Sequence, residues 1–379
     1  MKNGKFIRTV IHMQNVPRWD EYVPHFDDNA ANHSFRCAAY ATLAALIEEK
    51  KFGKQVDKFR IIGKALFHDL NETITGSIKH VTKKDPFVQE HIRSFEQEAS
   101  KEIVSYLSKS LQEFFWDFIV EAEDMSFEGR LVDGIDTFDA MLFCHREMLY
   151  GSNPIFRKKF TEFHDKLVNH EIESIRWLVN EFDKREGVYE FLNNILMLDT
   201  IARWKGNFNL VKDNDASHTY RATALSIFNG LLENVKYGKN IDMYLLAGKT
   251  IFHDLVEAVT GDILGPVKHS NPKIKEAFEL YEKNAASQMI ESLPEFLKEE
   301  IIELMVESKN NTYEGKMVDI SDKLDALIKA NLEMKNNPSE YADTYYRQLQ
   351  KIQHKFENES VIFFLAYVLH DITNSNFSK

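Results

Sequence analysis

Two cysteines in 379 residues are too few for a disulfide framework. Cys37 and Cys144 stand in apolar, helix-like surroundings, so both thiols are expected free and the chain is expected in the cytoplasm. No stretch approaches the roughly 18 consecutive apolar residues of a membrane span. The first residues, MKNGKFIRTVIHMQNVPRW, lack the apolar run and small-residue cleavage site of a secretory signal. An excess of positive charge is missing too, with 47 Lys and Arg against 59 Asp and Glu, a net charge of −12. That argues against a broad surface tracking the phosphates of a nucleic-acid polymer. It leaves room for a small anionic ligand held by a metal and a few basic side chains. Proline and glycine are sparse, at 8 and 15, and apolar residues recur at three- and four-residue spacing, which predicts an all-α chain.

What is present is written twice. Phe67 to Gly76 reads FHDLNETITG, and Phe252 to Gly261 reads FHDLVEAVTG. At the same offset of 185, Arg18-Trp19 returns as Arg203-Trp204, and Asn32-His33-Ser34-Phe35-Arg36 returns as Ser217-His218-Thr219-Tyr220-Arg221. After one inserted residue before Pro272, Asp136 returns as Asp322. Drift of one residue at loops is how a duplicated domain diverges, so two homologous units are expected, 1–188 and 189–379. The absence of a Gly/Ser or Pro-rich linker between them suggests that they pack on each other. In the first unit helices are expected at about 32–51, 56–74, 87–107, 111–125 and 128–149, with one long amphipathic helix over 155–185.

The repeated set is one histidine, a His-Asp pair 35 residues later, and an aspartate beyond: His33, His68, Asp69 and Asp136, then His218, His253, Asp254 and Asp322. Two imidazoles and two carboxylates from three helices suit a divalent first-row metal. Four ligands on an octahedral ion leave positions for water and a substrate oxygen, the layout of a hydrolase. Glu72 and Glu257, one turn past the His-Asp pair, are placed to orient or deprotonate that water. Arg18 and Arg203 offer planar donors suited to phosphate, and Lys83 and Lys268 a second positive contact. Trp19 and Trp204 read first as core, with a flat wall for a base or sugar as the functional alternative.

With Arg-Trp ahead of it and Glu and Thr-Gly behind, the His…His-Asp…Asp pattern resembles that of the HD-domain metal-dependent phosphohydrolases. Each repeat resembles the bacterial HD-domain 5′-deoxynucleotidases, most closely at TGDILGPVKHSNPKIKEAFELYEKNA, residues 260–285. The resemblance implies two tandem helical bundles packed as a pseudo-dimer, with further homo-oligomerisation open. It implies one divalent ion per domain (Mn, Co, Mg, Zn, Fe or Ni undistinguished), held by the eight ligands above. It also implies release of the 5′-phosphate from deoxyribonucleoside monophosphates. In such a site the arginine meets the phosphate, the glutamate serves the attacking water, the aspartate of TGD, here Asp262, contacts the sugar, and the tryptophan helps exclude ribose.

The copies disagree where Ser77 stands in place of Asp262. Serine hydrogen-bonds a hydroxyl without charge and with less reach, so the first site is expected to be slower, altered in substrate or regulatory. The second is the better expected seat of catalysis. Asp133 and Asp319, and Asp139 and Asp325, also repeat, and the residues alone leave open whether one of them is a ligand or a supporting partner. His80 and His91 have no histidine counterparts and are expected at the surface, and His370-Asp371 is expected to be incidental. A nucleoside triphosphohydrolase, or a nucleotide sensor with one regulatory site, are the competing functions.

Overall fold

The computed structural model describes residues 3–268 and 270–374, with the side chain of His80 outside the described residues. Thirteen helices of ten or more residues carry it. In the first repeat these are α1 (Asn3–His12), α2 (Ala30–Lys50), α3 (Lys58–Phe67), α4 (Gln89–Ser105), α5 (Phe127–Tyr150), α6 (Pro154–Val168) and α7 (Glu173–Lys184). The second has α8 (Val188–Met197), α9 (Asp215–Tyr237), α10 (Met243–Phe252), α11 (Pro272–Glu291), α12 (Tyr313–Met334) and α13 (Pro338–Lys355). The only named strands among the described residues are β1 (Pro17–Arg18) and β2 (Asp28–Asn29), an antiparallel pair with Arg18 opposite Asp28. A bridge from Ala202 to Asn214 repeats it. No described helix is long and apolar enough to cross a membrane.

The sequence starts equivalent helices with equivalent caps. Asn29 accepts from the Asn32 amide at 2.9 Å and Asn214 from Ser217 at 2.8 Å. Asp57 and Asp242 open α3 and α10 the same way, each at 2.9 Å. Such caps contribute about 1 kcal/mol apiece. Helix α2 is buried on every side from Ala30 to Glu48, its alanines letting neighbours approach closely, so His33 enters the molecule on the first turn of a central helix.

Two expected helices are broken. The one expected over 56–74 ends at Phe67, and Leu70 and Glu72 instead donate to Phe67 (3.1 Å) and Asp69 (2.9 Å) in three-residue turns. His68 reaches back through Nδ1 to the Ala65 carbonyl, 2.9 Å, competing for an acceptor of the helix ladder. His253 does the same to Thr250 at 2.7 Å. The segment expected as a single helix over 155–185 is α6 and α7, because the buried Glu48 carboxylate caps the start of α7 at the Ser174 amide, 2.7 Å.

The repeats pack along α2 and α9. Across that contact the Ser217 hydroxyl donates to Asn32 Oδ1 at 2.7 Å, and from α2 to α8 Tyr40 donates to the Leu192 carbonyl at 3.2 Å. One apolar cluster runs through both repeats, from Phe6 to Ile372. Gly63 and Gly248 occupy equivalent sites where a Cβ would meet Phe118 at 2.6 Å and Leu304 at 2.9 Å. Gly63→Ala is therefore expected to destabilise the fold by about 1–3 kcal/mol through overpacking, read as a fall in the urea midpoint.

Candidate metal centres

Each centre forms where three backbone features meet: the first turn of a central helix, the His-Asp turn, and one face of α5 or α12. In the first repeat His33 Nε2 lies 3.2 Å from His68 Nε2, 3.1 Å from Asp136 Oδ1 and 3.5 Å from Asp69 Oδ2. Asp69 Oδ2 is also 3.4 Å from His68 Nε2. In the second, His218 Nε2 lies 3.4 Å from Asp322 and 3.5 Å from Asp254, with His253 Nε2 3.1 Å from Asp254. The structure thus brings together all eight residues singled out as ligands. His33, His68 and Asp136 offer atoms within 4.8 Å of one another, as do His218, His253 and Asp322.

The imidazole tautomers decide whether this set fits a cation. His33 Nδ1 is tied to Asp139 at 2.7 Å and His68 Nδ1 to a carbonyl, so both must carry their proton there. Unless one Nε2 carries a further proton, the two rings aim lone pairs at each other across 3.2 Å, an arrangement that asks for a positive charge between them. His218 Nδ1 meets Asp325 at 2.7 Å in the same way, and both Nε2 atoms of the second pair are buried without a hydrogen-bond partner. The His and Asp groups of both centres fit a metal ion. Burial would keep His33 neutral and Arg18 opposes its charge as well, but Cys37, Asp136 and Asp139 together outweigh both and raise its proton affinity well above the ordinary value.

Asp139 and Asp325 support the site. Each accepts from its histidine while an arginine grips its other face: Arg36 Nε donates to Asp139 Oδ1 at 2.6 Å, Arg221 Nε to Asp325 Oδ1 at 2.7 Å. Asp133 and Asp319 turn away, toward Lys166 at 3.7 Å and Lys355 at 2.6 Å.

The residues around the cluster are held by loops that buried glutamates clamp. Glu147 accepts from the amides of His25 and Phe26 at 2.7 and 2.9 Å, and Glu333 from those of Leu210 and Val211 at 2.8 and 3.1 Å. That fixes the segments carrying Arg18-Trp19 and Arg203-Trp204. Both tryptophans adopt left-handed φ, 62° and 56°, an uncommon conformation for a bulky residue. Trp19 is half-buried and stacks on Phe143, 5.3 Å between centroids, while Trp204 tilts against Tyr341 at 5.8 Å, so packing and an exposed ring edge coexist. Arg18 donates to Asp69 at 2.9 Å and lies 3.9 Å from Asp136.

Glu72 and Glu257 each leave one buried carboxylate oxygen unpartnered. Burial first, then Asp69, pushes Glu72 up to about 8. Burial, then Asp254 and Asp215, pushes Glu257 up to about 10. Lys83 sits 2.9 Å from Glu96 and 3.9 Å from Glu72, and Lys268 pairs with Glu282 at 2.6 Å. Ser77 is exposed and Asp262 half-buried. His91 is exposed, and His370 and Asp371 lie 3.9 Å apart on the surface.

Four neighbours escaped the sequence reading. Cys37 Sγ lies 3.6 Å from His33 Nε2, where the second repeat has Ala222. Asp215, in place of Ala30, draws Arg203 to 3.1 Å. Lys309 reaches Asp322 at 2.8 Å, and its equivalent in the first repeat is Glu123. Reading each repeat against the other at offsets of 185 and 186 exposes all of these exchanges.

A family model described as 5′-deoxynucleotidase YfbR-like matches residues 5–185 and again 190–372. A 5′-deoxynucleotidase of Vibrio vulnificus is 27% identical over 154 residues, covering 40% of this chain and 79% of the relative. One of Photorhabdus laumondii is 26% identical over 178 residues, covering 47% of this chain and 90% of the relative. Among solved structures, an HD-domain phosphohydrolase of Listeria innocua is similar at 30% identity with a TM-score of 0.46, covering 49% of this chain and 89% of that one.

Proposed function

Since the chain belongs to the YfbR-like 5′-deoxynucleotidase family, in two tandem copies, and is a nucleotide phosphohydrolase, we propose that it removes the 5′-phosphate from deoxyribonucleoside monophosphates with a divalent metal. The observation that carries this reading is the pair of imidazoles whose Nδ1 atoms are tied off and whose Nε2 atoms converge beside Asp136.

His33, His68, Asp69 and Asp136 would hold the ion in the first repeat, and His218, His253, Asp254 and Asp322 in the second. Such an ion, when bound, supplies a Lewis acid for a phosphoryl oxygen and an acidified water. The chain's own part is positioning and proton handling. Arg18 and Arg203, always charged and half-buried beside the carboxylates, take phosphate oxygens. Glu72 and Glu257 have unpartnered buried oxygens; burial and the neighbouring aspartates raise their proton affinity, and a cation held beside them would lower it, so that they could accept and return the proton of the attacking water. The exposed edges of Trp19 and Trp204 bound the sugar, with Ser77 or Asp262 to meet its hydroxyl and Lys83 or Lys268 behind the phosphate.

We also infer that the repeats, divided at 188/189, form an intramolecular pseudo-dimer, supported by the α2–α9 packing and the Asn32–Ser217 contact. Both cysteines are free and buried, which suits a reducing cytoplasm.

Chelator treatment is expected to stop hydrolysis, and titration with Mn, Co, Mg or Zn to restore it. Orthophosphate from deoxynucleoside monophosphates, with ribonucleotides poorer, is the expected product. Release of pyrophosphate or triphosphate from triphosphates instead would replace this reading, and no release from any nucleotide would end it.

A further inference from the structure

Position 309 separates the two centres. The segments VEAED (120–124) and VESKN (306–310) align at the offset of 186 that relates Asp136 to Asp322, so Lys309 stands where the first repeat has Glu123. Both follow a wide helical turn, Trp116–Val120 and Ile302–Val306. Glu123 is within electrostatic reach of Asp136 and Asp69. Lys309 Nζ lies 2.8 Å from Asp322 Oδ2 and 3.9 Å from Asp254 Oδ1. These are the two carboxylates of the second ligand set.

We propose that Lys309 makes the two centres unequal: the first repeat binds the divalent ion tightly, and in the second the Lys309 ammonium occupies the carboxylate side of the cation position. The inference rests on reading the His and Asp clusters as metal centres.

Each centre already has an arginine at its His-Asp carboxylate, Arg18 at 2.9 Å and Arg203 at 3.5 Å. In the first, that same arginine also comes within 3.9 Å of Asp136, whereas in the second a separate ammonium, Lys309, lies 2.8 Å from Asp322 on the long helix α12. The exchange of Glu123 for Lys309 alone changes the formal charge by two units, or by one while burial and the neighbouring aspartates, which push Glu123 up to about 8, keep it protonated, and Asp215, whose equivalent is Ala30, returns up to one. Asp215 does not offset Lys309 directly, because its carboxylate is engaged 3.1 Å from Arg203. A divalent ion entering the second centre must displace an ammonium from Asp322 or sit beside it against like charge. The Lys309 side chain is 35% exposed and that of Asp322 24%, so water screens part of this repulsion, which weakens affinity by about 100-fold. His218 and His253 keep their unpartnered Nε2 atoms, so the second centre retains a weak affinity. Asp262 pointed to the second repeat as the seat of chemistry, and Lys309 moves tight metal binding to the first.

The test counts ions on the full chain without nucleotide. Chelator-stripped protein is titrated with Mn²⁺ and free ion is followed by electron paramagnetic resonance. Wild type is expected to bind one ion tightly and a second about 100-fold more weakly, with the tight ion lost in Asp69→Asn. Lys309→Glu, which copies the first repeat, is expected to bind two tightly, and Lys309→Met to strengthen the second site at least tenfold. Thermal melts check that each variant folds, and the methionine variant decides should the glutamate variant not fold. Two equal ions in wild type, a tight ion lost in Asp254→Asn rather than Asp69→Asn, or an unchanged second affinity in Lys309→Met would overturn the proposal. No ion at either centre would end the metal reading itself. Failure to hydrolyse deoxynucleotides would leave the ion count standing.

Discussion

Asp69→Asn is expected to lower phosphate release from deoxynucleoside monophosphates by about a thousandfold, corresponding to about 4 kcal/mol of transition-state stabilisation. The substitution keeps shape and removes one negative charge. Asp69 is the carboxylate on which the first centre turns, touched by Arg18 at 2.9 Å and within 3.5 Å of both imidazoles. Burial alone would raise its proton affinity, yet His68 and Arg18 hold it below the ordinary carboxylate value, so it is a fixed anion facing its partners. An amide there weakens the ion's hold and frees Arg18 from its anchor at once. Steady-state rates at a metal concentration that fills only the tighter centre are the measurement, since saturating metal would load the second centre as well, and a rate within tenfold of wild type would refute the assignment. Asp254→Asn, in the centre that Lys309 already neutralises in part, is expected to lose at least tenfold less than Asp69→Asn.

Arg36→Met is expected to destabilise the protein by about 3–5 kcal/mol. The guanidinium is fully buried and meets three carboxylates: Asp28 at 2.9 Å, Asp139 at 2.6 Å and Asp199 at 2.9 Å. Methionine fills a similar volume but leaves those charges facing each other out of water, with Arg146 at 2.7 Å from Asp199 as the remaining countercharge nearby. Breaking a buried network by removing one partner costs far more than the intact network contributes. The same change loosens the clamp on Asp139 and with it the orientation of the His33 ring, so metal affinity falls together with stability. Equilibrium unfolding in urea reports the first effect and Mn²⁺ titration the second. A stability change below about 1 kcal/mol would mean that the network relaxes or fills with water.

The helical class, the duplication and the meeting of the eight ligand candidates were legible because each rests on local pattern: spacing for helices, identity between copies for the centres. Interruptions were not, because their causes are distant. The break between α6 and α7 is set by Glu48, 126 residues from the amide that it caps. The break after Phe67 depends on His68 turning back to a carbonyl, which leaves apolar periodicity unchanged across it. The residues alone did not separate Asp133, Asp136 and Asp139, which share a helix and differ only in facing, and it was the family resemblance that singled out Asp136. Asp139 looks inward to Arg36, Asp136 to the imidazole, and Asp133 outward to Lys166. Lys309 is not legible beside Ser77 and Asp262 because it lies outside the repeated motifs, in a segment where the copies share little, and such mismatches carry the difference in chemistry.

The hydrogen bond from Ser217 to Asn32 joins equivalent positions of the two repeats. Two identical chains meeting about a twofold axis must present the same residue from both sides at such a point. They would offer Asn to Asn or Ser to Ser, and any mutation would arrive twice. A single polypeptide is released from that self-complementarity. Each half can change alone, and the contact can settle on a donor from one side and an acceptor from the other. The same release lets one centre acquire an ammonium while its twin keeps a carboxylate, a specialisation closed to a protein whose every substitution is mirrored.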